Sequence, residues 1–69
     1  MYKPTEKELK ELGFTYFETE DYWYLIFQDC EIHYDNVWNN WFIDDMIDLY
    51  PSSKKDVLTL IRLLSWKHT

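Results

Sequence analysis

The stretch Asp21-Tyr22-Trp23-Tyr24-Leu25-Ile26-Phe27-Gln28 decides the fold. Its side chains are aromatic or aliphatic, a composition that suits a pleated surface, and alternation puts Trp23, Leu25 and Phe27 on one face with Tyr22, Tyr24 and Ile26 on the other. Both faces are apolar, so this segment reads as the central strand of a sheet. Upstream, Glu18-Thr19-Glu20-Asp21 is the turn from a first strand near residues 14 to 18. Downstream, Gln28-Asp29 is the turn into a third strand, in which Cys30, Ile32 and Tyr34 share one face and Glu31, His33 and Asp35 the other.

Residues 36 to 50 admit two readings. Val37, Trp38, Trp41, Phe42, Met46 and Leu49 form a helical stripe. Against the helix, Trp38-Asn39-Asn40-Trp41 has the form of a two-residue hairpin, because Asn tolerates positive φ, with the two Trp residues facing each other across the strands. Ile47 and Leu49 then point inward and Asp48 outward. The β-meander is the preferred reading.

Helices flank this aromatic middle. Thr5 and Glu8 have capping-box spacing, and Gly13 is the one residue able to form a left-handed C-cap without strain, which predicts a helix over about residues 6 to 12. Pro51 ends the preceding element, Ser53 can cap, and Val57, Leu60, Ile61 and Leu64 recur at helical spacing, which predicts a second helix over about residues 54 to 65. The expectation is one small α+β domain spanning residues 1–69: a short N-terminal helix, an antiparallel meander of three to five strands, and a C-terminal helix packed on one sheet face.

The chain has 69 residues, 20% of them aromatic, one Cys, and 13 acidic against 7 basic side chains. No apolar run is long enough to span a membrane, and the polar start MYKPTEKELK is unlike a secretory signal. A lone Cys30 allows no intrachain disulfide, so a cytoplasmic, reducing setting is expected. The charge is unevenly placed. Residues 11 to 53 contain no Lys or Arg but ten acids, a charge of −10, whereas residues 1 to 10 carry +1 and residues 54 to 69 carry +3.

The segments Pro4-Thr5-Glu6-Lys7-Glu8-Leu9-Lys10-Glu11-Leu12-Gly13-Phe14 and Tyr50-Pro51-Ser52-Ser53-Lys54-Lys55-Asp56-Val57-Leu58-Thr59-Leu60-Ile61-Arg62-Leu63-Leu64, with an aromatic strand between them, resemble small acidic proteins of phages and mobile elements. These open with a helix ending in Leu-Gly-Phe and close with a strand, a Pro-Ser/Thr turn and a Leu-rich helix. The resemblance implies an accessory gene of phage acting in the host cytoplasm, among them anti-defence inhibitors of the anti-CRISPR kind. It transfers no functional residue.

Chemistry-bearing motifs are few. Cys30 and His33 are three apart on a strand and point to opposite faces, short of the four ligands of a zinc site. Asp44, Asp45 and Asp48 lack the Gly and spacing of a calcium loop. Ser52 and Ser53 read as helix caps and His68 as part of a fraying tail, so no catalytic, metal or cofactor role is expected. What remains is a binding surface. Glu18, Glu20, Asp21, Glu31, Asp35, Asp44, Asp45 and Asp48 form an acidic pool suited to a basic, nucleic-acid-binding protein, since strand residues two apart lie ~7 Å from each other, close to the spacing of successive phosphates. Trp38 and Trp41 are the aromatic candidates. The alternatives are an acidic face that serves solubility only and a homodimer made through strand edges or aromatic patches, with Tyr22, Tyr24, Trp38 and Trp41 as its candidate contacts. Direct nucleic-acid binding is not expected, because Lys54, Lys55, Arg62 and Lys67 are the one basic cluster in a chain of net charge −6.

Overall fold

The computed structural model describes residues 1–27, 30–44 and 47–67. Helix α1 (Glu6–Glu11) is followed by strands β1 (Thr15–Phe17), β2 (Tyr22–Ile26), β3 (Glu31–Asp35), β4 (Asn40–Ile43) and β5 (Ile47–Leu49), then helix α2 (Lys54–Lys67). The five strands pair antiparallel in chain order, β1-β2-β3-β4-β5, which is the expected α+β meander. The expected turn at Gln28-Asp29 lies outside the described residues, as do Asp45, Met46 and His68.

Helix α1 begins and ends where its sequence dictates. The Thr5 hydroxyl accepts from the Glu8 amide at 3.1 Å and the Glu8 carboxylate accepts from the Thr5 amide at 3.0 Å, completing the capping box. At the other end Gly13 has φ +97°, its amide donates to the Lys10 carbonyl, and the Phe14 amide donates to the Leu9 carbonyl. This paired closure brings Leu9 and Phe14 together in the core. Helix α2 starts on Ser53, whose hydroxyl accepts from the Asp56 amide, while the Asp56 carboxylate accepts from both the amide and the hydroxyl of Ser52. Those bonds hold the Asp56 carboxyl below the usual carboxylate range, the Ser52 hydroxyl having the largest effect.

Both helices cover one face of the sheet. The buried set joins Leu9, Leu12 and Phe14 to Trp23, Ile32, Tyr34 and Trp41 from the strands and Val57 from α2. Leu60, Ile61 and Leu64 are partly buried against it, so Val57 is the deepest contact of α2. Lys54 joins the two helices through an ion pair to Glu11 at 3.1 Å.

Trp41 occupies the centre. It pairs with Tyr34 on β3 and Leu49 on β5, its ring packs edge-on to Phe14 at 5.8 Å and stacks with Tyr2 at 5.8 Å, and its Nε1–H donates to the Tyr2 carbonyl at 3.1 Å. The Tyr2 amide in turn donates to the Pro51 carbonyl at 2.8 Å, so the N-terminal segment is strapped across the indole. The expected Trp38–Trp41 facing pair is therefore wrong. The β3–β4 hairpin has a four-residue turn, Asn36 to Asn39, closed by the pair Asp35 and Asn40. Asn39 supplies the positive φ (51°) as its last residue, which leaves Trp38 on the turn and sends Trp41 to the core side.

Replacing Trp41 by Ala should cost about 3–5 kcal/mol in urea unfolding, enough to unfold a domain this small, whereas Trp38→Ala should change stability by no more than ~0.5 kcal/mol. Gly13→Ala should cost about 1–2 kcal/mol, because any Cβ is strained at that φ. The Tyr2 hydroxyl is buried without a hydrogen bond of good geometry, and burial, followed by the Glu8 carboxylate, pushes it up to about 12. The folded state thus holds that proton after the unfolded chain has released it. Its contribution is fully present below pH 10 and declines as pH rises towards 12. Tyr2→Phe should flatten this alkaline loss and leave stability at neutral pH equal or higher, as read by thermal unfolding across pH.

Candidate functional site

The face of the sheet away from the helices is covered by no other described element. Register places Thr15 and Phe17 of β1, Tyr22, Tyr24 and Ile26 of β2, Glu31, His33 and Asp35 of β3, Asn40 and Phe42 of β4, and Asp48 of β5 on this side. Across it runs a ladder of rings. Phe17 lies 5.3 Å from Tyr22, Tyr22 stacks on His33 at 5.1 Å and 18°, and His33 stacks on Phe42 at 4.8 Å and 23°. The two flanking rings leave His33 only 6% exposed although it sits on an uncovered face. Its Nε2–H donates to the Glu31 carboxylate at 2.8 Å, which satisfies the one buried polar ring of the face.

Carboxylates frame the ladder. Glu20, Glu31 and Asp35 join Tyr22, His33 and Phe42 around an open groove of about 350 Å³. No Lys or Arg belongs to this face, in keeping with their absence from residues 11 to 53. On β3, however, Glu31 and Asp35 are separated by His33, so their Cα atoms stand four residues, or ~13 Å, apart instead of the ~7 Å of adjacent same-face positions. The expected phosphate-like spacing is absent from this strand.

The acidic pool divides by location and by task. Glu18, Glu20, Asp21 and Asp35 lie at the end of the sheet that carries the β1–β2 and β3–β4 turns, Glu31 and Asp44 lie at the opposite end, and Asp48 is on the edge strand. Four of them hold structure. Asp21 Oδ1 accepts from the Tyr16 hydroxyl at 2.7 Å and from the Asn36 amide at 2.9 Å, linking the two turns. These bonds, that from Asn36 first, hold the Asp21 carboxyl below its ordinary value, and the same contact raises the Tyr16 phenol. Asp35 Oδ1 accepts from the amides of Val37 and Trp38, Asp44 Oδ1 accepts from the Glu31 amide, and Glu31 holds His33. Glu18, Glu20 and Asp48 make no side-chain hydrogen bond or ion pair among the described residues.

The two Trp candidates part company. Trp41 is fully buried and presents nothing to a partner, whereas Trp38 is 80% exposed at the tip of the β3–β4 turn. That turn is braced: Asp35 caps it, the Tyr34 hydroxyl donates to Asn39, and Asn36 ties it to Asp21. Sequence reasoning offered Tyr22 as a candidate contact but missed His33 and Phe42 as surface-forming residues. The available signal was their cross-strand register, which needs the turn lengths.

Among the described residues no three His, Cys, Asp or Glu side chains are grouped to hold a metal ion, and no helix is long and apolar enough to cross a membrane. Asp35→Ala should unlatch the turn, costing about 1 kcal/mol and accelerating hydrogen exchange at Val37 and Trp38. Glu20→Lys with Asp48→Lys should leave the urea midpoint nearly unchanged, since neither side chain makes a bond to lose. Comparison of the chain with family models, with curated proteins and with solved structures finds no match.

Proposed function

We propose that the protein is a small acidic binding protein that docks its uncovered sheet face on a basic surface of another protein, of the kind that normally holds nucleic acid. Acting in a host cell, such a protein inhibits by occupying that surface. The observation that carries this reading is the combination on one face of an aromatic ladder, which supplies rigid apolar contact area, with a carboxylate frame and no balancing cation. The ladder also gives the face a reason to be wet only while unbound: Tyr22, Phe42 and Phe17 together present more aromatic surface than a purely solubilising face needs. Trp38 stands at the margin as an anchor beside the Asp35 carboxylate, which accepts from its amide. The mode of block is steric and electrostatic cover of the basic surface, since the carboxylates of β3 do not repeat at phosphate spacing.

The test compares two variants of equal net charge in binding to immobilised core histones, chosen as a basic nucleic-acid-binding surface. Glu20→Lys with Asp48→Lys reverses charges on the uncovered face, and Glu6→Lys with Glu11→Lys reverses two on α1, where the native ion pairs are exposed and contribute little to stability. The first pair should weaken binding about tenfold or more and slow association, with the effect shrinking as salt rises, while the second should change it far less. Equal losses from both pairs would mean that net charge alone drives binding and that the face serves solubility.

A further inference from the structure

We propose that the uncovered face is a receptor for arginine side chains, with a guanidinium seated on the free side of the Phe42 ring beside Asp48. The assignment rests on the docking reading above and names the chemistry of the partner: an extended basic segment in which arginine, not lysine, is recognised.

The ring ladder has one closed end and one open end. At the β1 end the outer side of Tyr22 is met by Phe17 at 5.3 Å. At the β5 end the last ring is Phe42, whose inner side is taken by His33 at 4.8 Å and 23° and whose cross-strand neighbour on β5 is Asp48. Among the described residues no ring lies against that outer side. Phe42 is partly exposed and lines the open groove, and a carboxylate stands one strand away, ~4.8 Å across the sheet. Asp48 is exposed and makes no bond within the chain among the described residues, so its oxygens are available.

A cation that answers this pair must lie flat on a ring and donate sideways to a carboxylate. Guanidinium does both, because its N–H groups fan out in its own plane while its faces stack on aromatics. An ammonium is compact and strongly hydrated, and gains from one partner at the expense of the other. The ring that receives the cation is also preset. Phe42 is held by His33, His33 is held by Tyr22 and by Glu31 at 2.8 Å, and little side-chain freedom is left to lose on binding. Beyond this seat the groove bounded by Glu20, Glu31 and Asp35 offers further carboxylates to the neighbouring basic residues of the same segment.

The experiment measures fluorescence anisotropy of a labelled Arg-Gly repeat peptide and of its Lys-Gly counterpart of equal length. The wild-type protein should bind the arginine peptide about fivefold more tightly or better. Asp48→Asn should erase that preference while leaving thermal stability unchanged, and Phe17→Leu, at the closed end of the ladder, should keep it. Phe42→Leu should erase it too; if this variant unfolds, Asp48→Asn alone decides. Equal affinity of the wild type for both peptides, or a preference that survives Asp48→Asn, overturns the arginine assignment. If that happens while histone binding still falls in the Glu20→Lys, Asp48→Lys variant, the docking reading stands without it. Loss of both peptide and histone binding removes the two together.

Discussion

Everything in the fold converges on the indole of Trp41. Among the described residues it is the largest fully buried side chain, and each side of it is closed by a different part of the chain: Tyr34 from the neighbouring strand, Phe14 from the segment after α1, and Tyr2 from the N-terminal strap. A domain of this size has few apolar contacts to spend, so one central aromatic side chain touched by distant segments substitutes for a wide core. The bond from its Nε1–H to the Tyr2 carbonyl removes the cost of burying the one polar atom of the indole. Position 41 is thus fixed both in register and in depth, and with it the face on which Phe42 must point.

That constraint explains the character of the opposite side. With the helices committed to covering Trp23, Ile32, Tyr34 and Trp41, the alternate residues of β2, β3 and β4 have no element to pack on and pack on one another. Ring stacking across strands recovers part of the apolar burial, and His33 in the middle supplies a polar atom that reaches the Glu31 carboxylate. The acidic residues serve two tasks on the same surface. Asp21, Asp35 and Asp44 shape and brace the turns, and two of these, Asp21 and Asp44, do so in a left-handed backbone that Asp tolerates. Glu20 and Asp48 carry charge alone.

Much of this was legible from residue pattern. Alternation placed Trp23 and Leu25 opposite Tyr22 and Tyr24, capping chemistry located both helices, and Leu49 was assigned to the core side of β5; Ile47, expected inward with it, is 59% exposed instead, because β5 is the edge strand and the core ends before it. The turn between β3 and β4 was misread because Asn39-Asn40 satisfies the local demands of a two-residue hairpin. The structure instead uses Asn39 as the last residue of a four-residue turn, repeating the plan of Glu18 to Asp21, where Asp21 takes the positive φ. A shift of that turn decides whether Trp41 faces core or solvent, and no local preference distinguishes the two. For the same reason the ladder was invisible: Tyr22, His33 and Phe42 are far apart in sequence and become neighbours only through register.

The meander topology also sets the order in which the molecule can assemble. Every strand pairs with its sequence neighbour, so the sheet forms through short loop closures of low contact order. The strap is the exception, since the Tyr2 amide reaches Pro51 across most of the chain. On a chain emerging from synthesis, hairpins can form while Trp41 still lacks its α2 cover, and the indole is sealed only when Val57 has arrived and Tyr2 has met Pro51. The bond between Tyr2 and Pro51 thus closes one of the longest loops in the molecule, a fastener between the N-terminal segment and the start of the α2 approach that leaves the strand-to-strand register untouched.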